Sequence, residues 1–131
     1  MSAERLSQRQ QDFAKAVSRL AEACAQVENS FIRDSVIQRF EFSWELAWKL
    51  LKIRLSQLGI EALNPREVFR QALAAGLIDD GNAWSEAQRQ RNLTSHTYDE
   101  ALSIAVSAFV QTQGLQMLAA LAASAQTWSD E

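Results

Sequence analysis

SFIRDSVIQRFEFSWELAWKLLKIRLSQL, residues 30–58, contains neither glycine nor proline. Two apolar stripes run along it at helical spacing. Val36, Phe40, Trp44, Ala47, Leu51, Leu55 and Leu58 form the first. Ile32, Phe42, Leu46, Leu50 and Ile53 form the second, and Trp48 lies between them. Residues three and four apart share a helix face, so a surface helix needs only one such stripe. Two stripes predict a helix at the centre of a bundle, or one that also packs on another subunit. Trp44 and Trp48, one turn apart, suit either a core or an interface.

The flanking sequence supplies stops and starts for further helices. Gly59 is placed as the glycine that follows a helix end. In Asn64-Pro65-Arg66-Glu67, Asn64 is a capping residue, Pro65 fits a first turn and Glu67 stands three residues after the cap. The short third helix that follows carries Val68, Phe69, Ala72 and Leu73 and is stopped by Gly76. Asp79-Asp80-Gly81-Asn82 opens a fourth, over about 83–93, with Trp84, Ala87 and Gln88. Upstream, Leu6, Phe13, Val17, Leu20, Cys24 and Val27 mark a first helix over about 3–28. Downstream, Leu102, Ala105, Val106, Phe109, Met117, Leu118 and Leu121 mark a fifth over about 98–125, with Gly114 placed to bend it. The tail from about Ser124 is expected to fray. Three long and two shorter helices, closely joined, predict an all-α fold. It is an antiparallel up-and-down bundle of about five helices, like a four-helix bundle, in a single domain over 1–131.

Composition narrows the function. The chain has 131 residues, 47% of them hydrophobic and 22% charged, with one proline and four glycines. That suits long helices rather than turn-rich β structure. Cys24 is the only cysteine, which excludes an internal disulfide and reads as a small core residue. One histidine and one cysteine far apart give no metal-ligand spacing, and no cofactor motif is present. The N-terminus lacks a signal pattern, and no run of about 18 apolar residues marks a membrane span. The cytoplasm is the expected location. The net charge of −3 excludes a general nucleic-acid coat, so any such contact must be local.

Arg91-Asn92-Leu93-Thr94-Ser95-His96-Thr97-Tyr98-Asp99-Glu100 concentrates polar groups and holds the only histidine and the only tyrosine. Thr97 and Glu100 have capping-box spacing, so Thr97 is expected to cap the fifth helix and His96 to precede the cap. Such an end favours an anion and disfavours further positive charge, leaving His96 to act as a base. Arg91 is suited to gripping a phosphate with two hydrogen bonds. Together these groups suit metal-free phosphodiester chemistry. The plainer reading makes His96 a hydrogen-bonding residue at a helix start and Tyr98 a half-buried packing residue. Glu41 and Glu45, one turn apart, face either a cleft or Lys49 and Lys52.

Arg91-Asn92, three residues, then His96 resembles the R-x4-6-H motif of the HEPN superfamily. With Tyr98 it resembles the R-x4-H-x-Y form found in HEPN partners of minimal nucleotidyltransferases. Residues 33–49 resemble the second helix of the nucleotidyltransferase substrate-binding protein family. So do Pro65-Arg66-Glu67-Val68, the loop 76–81 and the segment 91–100, and the resemblance extends over about residues 5–120. It implies an antiparallel helical bundle that forms a homodimer, with two motifs facing across a cleft and a small nucleotidyltransferase as partner. It also implies one of two functions. The first is a toxin of a toxin–antitoxin pair, a metal-independent RNase silenced by AMP addition to the motif tyrosine. The second is a non-catalytic substrate-binding subunit of a two-component nucleotidyltransferase. Carried over to this chain, Arg91 binds the scissile phosphate of an RNA substrate and His96 is the base or acid acting on the ribose 2′-OH. Asn92 orients the site, and Tyr98 accepts AMP. A third reading, a structural adaptor, requires Arg91 and His96 to be tied up in internal hydrogen bonds.

Overall fold

Long runs without β-branched clusters or breakers favour helix, and every regular element among the described residues is helical. The computed structural model describes residues 2–129. Helix α1 spans Ser2–Cys24, α2 Ser30–Gln57, α3 Pro65–Ala74 and α4 Gly81–Leu93. After a short 3-10 turn over Thr94–His96, α5 spans Glu100–Phe109. A π-helical segment over Val110–Gly114 continues it into α6, Leu115–Ala125. Helix α2 is central, as its two stripes predict: it packs against α1 along its length and also against α3, α4, α5 and α6.

The core follows most of the predicted stripes, but Phe42 of the second α2 stripe, Leu58 at the end of the first and Leu73 of α3 are exposed. Phe13 and Leu20 of α1, Val36, Phe40, Leu50, Leu51 and Leu55 of α2, Val68 of α3, and Val106, Val110 and Leu118 of the last helix are fully buried. Each such side chain contributes roughly 1.5–3 kcal/mol on burial. Phe40 and Phe109 meet edge to face with ring centroids 6.0 Å apart. Gly114 is the residue that lets them sit there, since a Cβ at this position would lie 3.2 Å from the Phe109 ring and 3.5 Å from the Phe40 ring. The irregularity expected at Gly114 is therefore a widened π turn packed on this aromatic pair.

Both predicted glycine stops are present. Gly59 and Gly76 have φ of +83° and +78°. The Ile60 and Leu77 amides reach back to the Leu55 and Ala72 carbonyls, at 2.8 and 2.9 Å, closing α2 and α3. Only glycine occupies this left-handed region without strain. Gly76→Ala is expected to cost about 1–2 kcal/mol, the left-handed penalty of a Cβ, and to lower the melting temperature by several degrees in a calorimetric scan. Open space surrounds the Gly76 Cβ position, so backbone strain is the sole source of that loss. Asn64 caps α3 by accepting from the Glu67 amide at 2.9 Å, as expected.

Three boundaries differ from the sequence reading. Helix α1 ends at Cys24, short of residue 28, and Val27 is exposed instead of completing the α1 stripe. Asn29 then takes up an extended backbone and starts α2 by accepting from the Ile32 amide as its cap. The tail expected to fray from Ser124 is packed over residues 124–129, and residues 130 and 131 lie outside the described residues. Helix α6 runs to Ala125, Trp128 packs against the core, and Arg54 donates to the Ser129 carbonyl at 2.7 Å. The third difference, at the start of α5, belongs to the site. Cys24 is partly buried, and burial pushes its thiol up, which suits an inert packing residue. The span Glu100–Ala125 is long and apolar enough, by length and composition, to cross a membrane. Here its apolar stripe of Val106, Phe109, Val110, Leu118 and Leu121 is part of the bundle core.

Candidate functional site

Helix α4 places Arg91 in its last turn, on the side that faces α2. There the guanidinium meets a stripe of α2 residues one turn apart. Arg91 Nη2 donates to Glu45 Oε1 at 3.1 Å. Nη1 lies 3.6 Å from Glu41 Oε2, an ion pair too long for a hydrogen bond. The guanidinium carbon stands 5.7 Å from the centroid of the buried Trp44 ring, within cation–π range. The arginine side chain keeps 26% of its exposure, enough to be reached from outside.

The carboxylates are themselves fixed. Trp48 Nε1 donates to Glu45 Oε2 at 2.8 Å. Thr94 Oγ1 lies 3.1 Å from Glu41 Oε2 and 2.7 Å from the Arg91 carbonyl. Glu41 and Glu45 therefore turn to Arg91, and not to Lys49 or Lys52. Thr94 is a site residue the sequence reading missed. Its signal was the three-residue spacing from Arg91, which puts both on one side of a helical turn. Trp44 and Trp48 are likewise assigned: Trp44 is core and arginine platform, and Trp48 is half-buried and orients Glu45.

The segment after Arg91 differs from expectation. Asp99, not Thr97, caps α5, accepting from the Ala101 and Leu102 amides at 2.9 and 3.3 Å. Aspartate caps at least as well as threonine. Thr97 is consumed by the 3-10 turn, its hydroxyl donating to the Thr94 carbonyl at 3.2 Å. The anion site read at this helix end is thus filled by the protein's own carboxylate, and His96 stands three residues ahead of the cap. His96 is exposed, and it approaches Tyr98: Nδ1 to hydroxyl at 3.5 Å, rings edge to face at 6.0 Å. Tyr98 is 86% exposed, which overturns the half-buried reading. Asn92 is exposed as well. The adaptor reading required both motif residues to be tied up. Arg91 is tied; His96 is not.

No group of three or more His, Cys, Asp or Glu side chains that would suit a metal occurs among the described residues. A concavity of about 460 Å³ lies between the 76–80 loop and α6, and neither Arg91 nor His96 lines it.

A helical bundle that presents an arginine on one helix end and, on the following turn, a free histidine has the architecture of the HEPN class. The chain belongs to the nucleotidyltransferase substrate binding protein like family, whose model matches residues 8–126. A Haemophilus influenzae relative named "Probable ribonuclease HepT" is 37% identical over 91 residues, a stretch spanning 63% of this chain and 62% of that protein. A solved protein from Thermus thermophilus superposes with a TM-score of 0.74 at 31% identity, over 87% of this chain and 95% of that one. A Haemophilus influenzae structure, described as showing the fold of a substrate binding domain of a nucleotidyltransferase, superposes with a TM-score of 0.69 at 27% identity. The match covers 95% of this chain and 99% of that one.

Proposed function

We propose that the protein is a HEPN-type ribonuclease toxin that cleaves RNA without a metal and is silenced by a partner nucleotidyltransferase. The observation that carries this reading is the contrast within one segment: Arg91 is clamped in place, while His96, one turn further on, is exposed and free to meet a substrate. The Haemophilus influenzae relative's name and the family's description support the two halves of the reading, ribonuclease and nucleotidyltransferase partner.

In the proposed reaction Arg91 holds the scissile phosphate through donors on Nη1 and stabilises its developing charge. His96 removes the proton of the ribose 2′-OH. The 2′-oxygen attacks phosphorus, the bond to the 5′-oxygen breaks, and the products are a cyclic phosphate and a 5′-hydroxyl. The leaving oxygen needs a proton in return. Each chain has a single histidine, so a homodimer with two facing motifs would bring His96 of a second copy as that acid. Asn92, exposed beside Arg91, would orient the phosphate. The test is cleavage of RNA by the purified, unmodified protein in EDTA; absence of cleavage would sink the reading.

Silencing follows from the same geometry. The Tyr98 hydroxyl, well exposed, would attack the α-phosphorus of ATP, forming tyrosyl-AMP and releasing pyrophosphate. The added phosphate would sit beside the His96 imidazole, to which Tyr98 already reaches. Tyr98→Phe is expected to retain cleavage and to escape silencing. Mass spectrometry after incubation with the partner and ATP should show one AMP on wild type and none on the variant. An AMP on the variant would place the modification elsewhere.

The second reading, a non-catalytic substrate-binding subunit of the nucleotidyltransferase, is favoured by one observation. Two carboxylates flank Arg91, giving the cluster a net charge of −1 and opposing a phosphate.

A further inference from the structure

The stripe on α2 that holds Arg91 does not stop at Glu45. Glu41, Glu45, Trp48, Lys49 and Lys52 recur at helical spacing, so they lie on one face of the helix. The acidic end is paired with Arg91, which leaves it at net −1. The basic end is not neutralised: Lys49 and Lys52, deprived of Glu45, form no ion pair among the described residues, and neither do Arg5 and Arg9. Arg5 and Arg9, one turn apart on α1, converge with Lys49 and Lys52 on a groove of about 350 Å³ that Trp48 also lines. No carboxylate among the described residues lines it. In a chain with 16 acidic and 13 basic residues, four such cations in one groove depart from the surface average. Their mutual repulsion disfavours the fold unless an anion is met there.

We infer that this groove binds the phosphates of single-stranded RNA flanking the bond presented to Arg91 and His96. The inference rests on the ribonuclease reading for the identity of the anion. Trp48 joins the two regions: its indole lines the groove while its N–H holds the carboxylate that positions Arg91. Lys52 lies seven residues beyond Glu45, about 10 Å along the helix axis, so a strand leaving Arg91 reaches it within a few nucleotides. Cations spaced along a groove beside an aromatic face suit a flexible strand, whose backbone they track and whose bases stack. A locally basic groove also reconciles RNA binding with the acidic net charge. It supplies the attraction that the Arg91 cluster, at net −1, lacks.

The test is fluorescence anisotropy with a labelled, unstructured 12-nucleotide RNA, across salt, on the full chain carrying His96→Ala to prevent cleavage. Arg5→Gln/Arg9→Gln/Lys49→Gln/Lys52→Gln is compared with Arg66→Gln/Arg70→Gln on α3, which removes cations elsewhere. Circular dichroism checks the fold of each. The groove variant is expected to bind at least about tenfold more weakly and to lose about 0.7 in salt slope for each phosphate contact removed. The α3 variant should bind like its parent. Equal affinity and slope in parent and groove variant would overturn the inference, as would equal losses in both variants. No binding by the parent would also overturn it and leave the groove to an acidic partner surface. The cleavage assay separates the two proposals. Cleavage with an indifferent groove retires the groove alone, whereas groove-dependent binding without cleavage retires the ribonuclease and leaves the groove standing.

Discussion

His96→Ala is expected to lower metal-independent RNA cleavage by at least about 10²-fold, the span of a lost general acid–base group, while leaving the melting temperature unchanged. Both halves follow from the surroundings of His96. The side chain is exposed, its backbone belongs to a short 3-10 turn, and its hydrogen-bonding reach is a 3.5 Å approach to an exposed tyrosine. Surface changes of this kind rarely move stability by more than about 0.5 kcal/mol. A side chain that supports nothing structurally and whose loss removes activity is acting on substrate. The measurement is initial rate in EDTA alongside a thermal melt, on protein whose Tyr98 is shown by mass to be unmodified. Cleavage that persists in the variant would remove His96 from the chemistry. A drop in melting temperature matching the drop in rate would instead make it structural.

What the sequence revealed follows the range of the interactions concerned. The two stripes of α2 predicted a central helix, and Gly59, Gly76 and Asn64 announced the caps they form, because stripes and caps are set within one or two turns. Competition between neighbouring caps was harder to read. Thr97 and Asp99 both qualify, and the winner depends on whether the chain after α4 tightens into a 3-10 turn. Likewise Val27 fits the α1 stripe by spacing, yet α1 stops at Cys24 and Val27 falls in the connection to the Asn29 cap of α2. The least legible feature was the partner of Arg91. Glu41 and Glu45 were visible as a pair one turn apart, with Lys49 and Lys52 as local candidates. The partner that binds them comes from 46 and 50 residues away through the packing of α4 on α2. Nothing local announces such a pairing. It requires the bundle, and it converts an apparently solvated acidic face into the mount of the motif arginine.

That mount makes Arg91 the residue whose replacement should have two separable effects. Arg91→Ala removes a hydrogen bond to Glu45 and leaves Glu41 and Glu45 facing each other one turn apart without a cation. The pair is partly exposed, so screening limits the loss to about 1 kcal/mol, visible as a melting temperature lower by a few degrees. The same change should lower cleavage by about 10²–10³-fold, the effect of deleting one donor to a developing oxyanion. Arg91→Lys separates the two. Lysine returns a positive charge to the carboxylates and should recover most of the stability. It lacks the planar fork that holds Glu45 with one nitrogen while offering the other to a phosphate, so cleavage should stay low. Recovery of both properties in Arg91→Lys would reduce the arginine to a charge. Recovery of neither would mean that the cation–π contact of the guanidinium with Trp44 fixes the site. Stability without cleavage is the outcome that identifies the acidic pair as a scaffold for a phosphate-binding arginine.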